Sequence, residues 1–384
     1  MDKRITDRIL GGMMGGAIGD ALGFPVGAYT YEDIVSEFGA DGIQRYKLNE
    51  EGVAVISDDT QMSLFTVNGI LLKSTADLLN KGEQHSYEYY IEKAYLEWLL
   101  TQQKSWNDVQ QQDFSCWLSQ VKELFVSRDS RTTCLSALCN LAAHREVENE
   151  SSGSGGLMRI APIGLMAALH PDQMSGEETV RLGAEVARIT HKHPLGYLPA
   201  GCFAYLLRKM LSFEQPEPRQ LKEALEESFH VLSAVYPEEE TSVVRLREKI
   251  EQAIALADSG KPHFKVMQEL GEGWVAEENL AIAVYCTLCH WGDFQGAVVA
   301  AVNHSGDSAS TGAVTGNLMG ILTGYTALPE YELERLELCE VIREITWDLI
   351  DGVPEWHKGM TVEVSAWLQK YREAMWPVQL VHLG

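Results

Sequence analysis

The chain has 384 residues, 45% of them hydrophobic and 9% aromatic, a composition that supports a substantial globular core and excludes an extended disordered chain. Its formal net charge of −24 repels a nucleic-acid backbone or an anionic membrane surface outside any locally basic cleft, so neither is expected as a partner. The odd count of 7 cysteines fits a reducing compartment better than a disulfide framework.

Met1-Asp2-Lys3-Arg4 leads into a glycine-rich amphipathic stretch without the features of a secretory signal. No apolar run reaches the roughly 18 residues of a membrane span, and a cytoplasmic location is expected. Gly11, Gly15, Gly19 and Gly23 recur at four-residue spacing. Each glycine costs about 1 kcal/mol against alanine in a helix interior, so a stripe of them predicts a second backbone packed on that face. Further on, Ile43, Tyr46, Leu48, Val53 and Val55 suggest an extended excursion or hairpin over 42–56.

Ser57-Asp58-Asp59-Thr60-Gln61-Met62 follows, and Met62, Leu64, Phe65, Val67, Ile70 and Leu71 continue at helical spacing. Ser57 or Asp58 is therefore the expected N-cap, with a pair of acids at a helix mouth. Taken alone, the motif reads as capping plus a favourable macrodipole. The other reading is metal: adjacent residues on a first turn diverge by about 100°, so Asp58 and Asp59 can face two hard cations, or one can ligate while the other orients.

Helical periodicity continues in 60–73, 86–100, 132–143, 178–190, 196–212, 219–235, 242–257, 276–290 and 331–350, and strand patterns are scarce. No segment has the length or bias of an interdomain linker, so residues 1–384 are expected to form a single all-α domain. The loop Ser152-Gly153-Ser154-Gly155-Gly156 has the small residues that let backbone N–H groups approach an anion, and reads equally as a flexible connection. His193, in Thr190-His191-Lys192-His193-Pro194, and Trp274, in Gly271-Glu272-Gly273-Trp274, are further candidates. For each, the plainer alternative is a structural role, and for Trp274 that means the core. Cys286-Thr287-Leu288-Cys289-His290 lies in an apolar helical run without a second pair at zinc-finger spacing, which favours buried structural cysteines.

The last motif is Asn303-His304-Ser305-Gly306-Asp307-Ser308-Ala309-Ser310-Thr311-Gly312, after which Gly316, Gly320 and Gly324 form a second glycine stripe. The two striped helices are expected to pack near the centre of the chain and carry their polar ends into one cleft.

Three of these segments together resemble the ADP-ribosylglycohydrolase family, which includes the dinitrogenase reductase-activating glycohydrolases and the ADP-ribosylarginine hydrolases. They are Ile9 through Gly19-Asp20-Ala21-Leu22-Gly23, Ser57 through Met62, and Asn303 through Gly316-Asn317. Gly155 through Pro162 and Thr190 through Tyr197 look like further family blocks in the same order, so the resemblance runs from about Ile9 to Tyr325. It implies a compact orthogonal helical bundle with a two-metal cleft holding two Mg²⁺ or Mn²⁺. Carried over by position, Ser57, Asp58, Asp59, Asp307 and Ser310 are the implied ligands, and Asp58 and Asp59 the implied catalytic carboxylates. Ser152 to Gly156, His193 and Trp274 are implied to meet the substrate. The chain departs from the family pattern at Ala309, where an acid is expected, and at Gly27, where many relatives have Glu.

The implied function is a metal-dependent hydrolase that removes ADP-ribose from a modified protein side chain, arginine above others; the sequence leaves the oligomeric state open, with a monomer favoured. A weak or inactive ADP-ribose-binding protein on the same fold stays open because of Ala309.

Overall fold

The computed structural model describes residues 2–79, 85–109, 114–128, 132–355 and 361–371. Its α-helices, in chain order, are α1 (Lys3–Gly23), α2 (Tyr31–Phe38), α3 (Asp58–Leu79), α4 (Tyr87–Gln103), α5 (Thr132–Ala142), α6 (Ala161–Leu169), α7 (Gly176–Arg188), α8 (Pro194–Ser212), α9 (Pro218–Val235), α10 (Glu240–Ala257), α11 (His263–Leu270), α12 (Ala276–Cys289), α13 (Phe294–Val302), α14 (Ser308–Thr323), α15 (Glu330–Arg335), α16 (Cys339–Asp351) and α17 (Val362–Tyr371). Among the described residues there is no β-strand, only two isolated bridges, so the fold is all-α.

At the centre of the molecule lies the antiparallel pair α1 and α14, buried along almost its whole length. The glycine stripes are the reason it forms. A Cβ on Gly11 would fall 2.2 Å from the Gly320 carbonyl oxygen, one on Gly15 would fall 2.4 Å from that of Gly316, and one on Gly19 would fall 2.0 Å from that of Gly312. Backbone meets backbone, and the conformational cost of the glycines is offset by close packing that any side chain would forbid. The expectation of two glycine-faced helices at the centre holds. Arg8 anchors the start of the pair, donating from Nε to the Ile321 carbonyl at 2.6 Å and from its terminal nitrogens to the carbonyls of Met210 at 2.7 Å and Phe213 at 2.9 Å.

Two expectations need correction, and a third resolves to one of its two alternatives. Lys3–Val26 is, by length and composition, long and apolar enough to cross a membrane, although charged side chains interrupt it; 89% of its apolar window is buried inside the fold, so its apolar surface is accounted for by packing. The excursion over 42–56 forms no hairpin: its one ladder-like contact is the parallel bridge Ala54–Leu336. That bridge also breaks the helix expected over 331–350, because Ala54 N–H donates to Arg335 O at 2.7 Å and Glu337 N–H donates to Ala54 O at 2.9 Å. Backbone groups that would have continued the helix are taken by the excursion. Leu338 then enters the left-handed region at φ 57°, and α16 starts afresh at Cys339.

Candidate active site

The first acidic motif sits at the mouth of α3. Ser57 is the cap: its Oγ accepts the N–H of Asp59 at 3.1 Å and its carbonyl that of Gln61 at 3.4 Å. The turn is held from α1 by Asp20, which is fully buried. Its carboxylate accepts the Ser57 N–H at 3.0 Å, the Thr60 N–H at 3.2 Å and the Thr60 hydroxyl at 2.5 Å. Burial pushes the Asp20 carboxyl up to about 6 against the pull of these hydrogen bonds. Asp20 is the positioning residue that reading for ligands passed over. Its signal was present in Gly19-Asp20, an acid set inside a buried glycine stripe.

Behind the turn, Asp58 N–H donates to the Arg128 carbonyl at 3.3 Å, and the Arg128 guanidinium pairs with Glu337 at 2.8 Å. The Glu337 carboxylate in turn accepts the Ile56 N–H at 3.0 Å. A rigid seat therefore presents Asp58 and Asp59, which are 3% and 1% exposed.

The second motif sits at the mouth of α14, where Asp307 is the N-cap and accepts the Ser310 N–H at 3.4 Å. Gly306 precedes it at φ 121°, and a Cβ there would lie 2.1 Å from the Glu272 carbonyl, so only glycine fits this approach. The Asp307 N–H donates to that carbonyl at 2.8 Å. Asp307 is 2% exposed and Ser310 fully buried. Asn303 and His304 hold the local structure: Asn303 exchanges hydrogen bonds with the Ile43 backbone at 2.8 and 2.9 Å, and His304 Nδ1 lies 2.8 Å from the Ser305 carbonyl and Nε2 2.9 Å from Thr311 Oγ1.

The two mouths adjoin because α1 runs between them. A Cβ on Gly23 would lie 2.1 Å from the Ser308 carbonyl, so the first turn of α14 rests on the end of α1 whose Asp20 grips the first turn of α3. Asp59, Thr60 and Ser63 of α3 line one small cavity, about 10 Å³, with Ala313 and Asn317 of α14. Ala309 is a buried first-turn residue of α14, one turn ahead of Ala313. Gly27 is in a relaxed backbone conformation, and a Cβ there would meet nothing nearer than 3.5 Å, so the space for a longer side chain is open.

The serine–glycine loop joins the second mouth through Ser154, whose hydroxyl donates to Asp307 Oδ2 at 2.8 Å. Ser154, Gly155 and Gly156 are buried, while Ser152 and Gly153 are part-exposed. The loop is fixed rather than flexible: Ser154 N–H donates to the Trp274 carbonyl at 3.0 Å and Ala276 N–H to the Ser152 carbonyl at 2.9 Å. Trp274 is 44% exposed and stands beside this bridge, not in the core, because the turn ending in Gly273 at φ 74° brings it to the surface. His193 caps α8, its Nδ1 accepting the Leu195 N–H at 3.1 Å. Gly153 and Gly196 pack close to the neighbouring His191, and Glu277 of α12 lies within electrostatic reach of His193. Burial raises the Glu277 carboxyl, with Arg245 at 3.3 Å opposing the shift.

Segments from four distant parts of the chain thus meet, through buried hydrogen bonds, around carboxylates and hydroxyls. A model of the ADP-ribosylglycohydrolase family matches residues 1–359. The chain belongs to the ADP-ribosylglycohydrolase family. A solved structure described as an ADP-ribosylglycohydrolase-related protein complex is similar to it with a TM-score of 0.61 at 23% identity, covering 91% of this chain and 99% of that one. At that identity the likeness speaks for the fold. Membership makes a hydrolase acting on ADP-ribose compounds the family activity. Ser57, Asp58, Asp59, Asp307 and Ser310 present only oxygen atoms, which suit hard cations such as Mg²⁺ or Mn²⁺ and not soft ones, although among the described residues no group of three or more His, Cys, Asp or Glu side chains is placed to hold a metal ion.

Proposed function

We propose that this protein is a metal-dependent hydrolase that cleaves the N-glycosidic bond between ADP-ribose and a modified protein side chain, arginine by resemblance. What supports the reading is the meeting of the α3 and α14 mouths, where buried carboxylates are locked by Asp20 and Ser154. Ser57, Asp58, Asp59, Asp307 and Ser310 would hold two Mg²⁺ or Mn²⁺ ions. Bound there, such ions supply positive charge to engage the ribose hydroxyls and offset the diphosphate.

The chain's own residues do the rest. Asp20 and Ser154 keep the carboxylates in place, so little reorganisation is needed when ligand arrives. One of Asp58 and Asp59 takes a proton from the water that attacks the anomeric carbon as oxocarbenium-like charge develops. His193 Nδ1 accepts from Leu195, which leaves the proton on Nε2 as a donor for a phosphate or ribose oxygen. Trp274, half exposed beside the serine–glycine loop, offers an aromatic face.

A second reading, an ADP-ribose-binding protein with little turnover, is favoured by Ala309 alone. Release of free ADP-ribose from an ADP-ribosylated arginine peptide, with Mg²⁺ or Mn²⁺ and then with chelator, tests both alongside calorimetric binding of free ADP-ribose. Metal-dependent release that Asp59→Ala abolishes supports hydrolysis. Binding without release supports the second reading, and absence of both overturns the two together.

A further inference from the structure

The Cys286-x-x-Cys289-His290 segment makes no zinc knuckle, since Cys286 is buried in the core, but its histidine does not stand alone. His290 closes α12 and His263 opens α11, and their Nε2 atoms are 3.2 Å apart, with ring centroids 5.1 Å apart and planes inclined by 33°. Nitrogen ligands about 2.0 Å from a tetrahedral zinc ion lie about 3.3 Å from each other. The outer nitrogen of His263 has a partner, the Tyr285 hydroxyl 2.8 Å from Nδ1, whereas His290 Nδ1 stands 3.8 Å from Asp293 Oδ2, beyond hydrogen-bond distance. Such outer partners fix the ring orientation of metal-binding imidazoles.

Two further features favour a cation here. His290 is at the C-terminal end of α12, the negative end of its dipole. Gly296 clears the space: a Cβ there would fall 2.6 Å from His290 Nδ1 and 2.3 Å from Asp293 Oδ2. Both rings line an open cavity of about 390 Å³ that gives an ion access from solvent.

We propose that His263 and His290 form a two-imidazole site for a transition-metal dication of the Zn²⁺, Ni²⁺ or Cu²⁺ class, separate from the oxygen donors at the α3 and α14 mouths. Imidazole suits these ions as carboxylate suits Mg²⁺ and Mn²⁺, so the two sites divide metals by ligand chemistry. An ion at this place ties α11 to α12. Phe264, Met267 and Gln268 of α11 line a neighbouring cavity of about 210 Å³ with His304 and Ser305 of the second acidic motif, so the tie steadies a wall close to that motif.

The proposal does not depend on the hydrolase reading, and its test reads no turnover. Zn²⁺ binding is measured by calorimetry, and Cu²⁺ is added at one equivalent for electron paramagnetic resonance, on the wild type, His263→Ala, His290→Ala and Asp59→Ala. Both histidines are partly or largely solvent-accessible, and circular dichroism checks that the variants fold. Expected are nitrogen superhyperfine lines from two imidazoles in the wild type and in Asp59→Ala. Loss of those lines and at least about tenfold weaker Zn²⁺ binding are expected in each histidine variant. Equal Zn²⁺ affinity and equal nitrogen lines in the wild type and both histidine variants would overturn the site. So would absence of Zn²⁺ binding in the wild type, which leaves the pair as a plain hydrogen bond.

Discussion

Ala309 is a methyl group where two cations would want a charge. It is buried in the first turn of α14, two residues after Asp307 and one before Ser310. Without a carboxylate there, two divalent ions held as proposed would lose a compensating charge, and one of them would bind more weakly. Ala309→Asp is expected to raise release of ADP-ribose from a modified arginine peptide by about 10²-fold or more, the scale of restored metal-assisted electrostatic stabilisation. Equal rates in the two proteins would show the acid to be dispensable. A different residue, Glu97 of α4, is expected to make stability depend on pH. Fully buried, its carboxylate accepts the N–H groups of Ser115 at 2.7 Å and Cys116 at 2.9 Å and the Ser119 hydroxyl at 3.0 Å, and burial raises it from 4.5 to about 7. A folded-state value above the unfolded one means that its contribution is fully present below pH 4.5 and is lost as pH rises through about 7. Against Glu97→Gln, which cannot ionise, the wild type should lose up to about 3 kcal/mol of unfolding free energy between pH 4 and pH 8. Parallel denaturation profiles for the two proteins would contradict this.

Among the elements, the α1–α14 pair tolerates change least. A Cβ on Gly316 would lie 2.0 Å from the Gly15 carbonyl oxygen and 2.7 Å from its carbon, both backbone atoms that no rotamer can move. Gly316→Ala should therefore cost about 3 kcal/mol or more by separating the helices, whereas Gly27→Ala, in open space at negative φ, should change stability by less than about 1 kcal/mol. Comparable denaturation midpoints for the two variants would refute the close-packing account. The periodicity of 60–73, 196–212 and 219–235 predicts helices that α3, α8 and α9 supply within a few residues. Short helices were less legible. α2 carries a capping box between Thr30 and Asp33 that marks its start, yet with eight residues it has too few turns for periodicity to declare it.

At the scale of the whole molecule, a chain of net charge −24 in a family that acts on ADP-ribose compounds has to receive an anionic nucleotide sugar. Cations bound only by the folded arrangement of distant oxygen donors would meet that need, and binding to the folded state adds stability by mass action. Saturating Mg²⁺ or Mn²⁺ is expected to raise the melting temperature by about 3 °C or more, with most of the shift absent in Asp59→Ala. A melting temperature indifferent to both metals would remove the support for a two-metal centre. The family fold and the expectation of ADP-ribose chemistry agree with this charge logic, since an acidic surface needs local help to hold a diphosphate.

Local chemistry is written in the sequence: a cap followed by paired acids at the mouth of α3, a second acid at the mouth of α14, and two stripes of glycine whose spacing demands a partner backbone. Each of these depends on residues within one or two turns of one another, which is why composition and periodicity reveal them. The tertiary structure alone decided what those features face. That Asp20 holds the α3 mouth, that Ser154 reaches Asp307 from 153 residues away, that Trp274 is exposed and that His263 meets His290 all rest on contacts between segments far apart in the chain. The break between α15 and α16 has the same origin, because a single residue of the 42–56 excursion claims backbone hydrogen bonds that local propensity had assigned to a continuous helix.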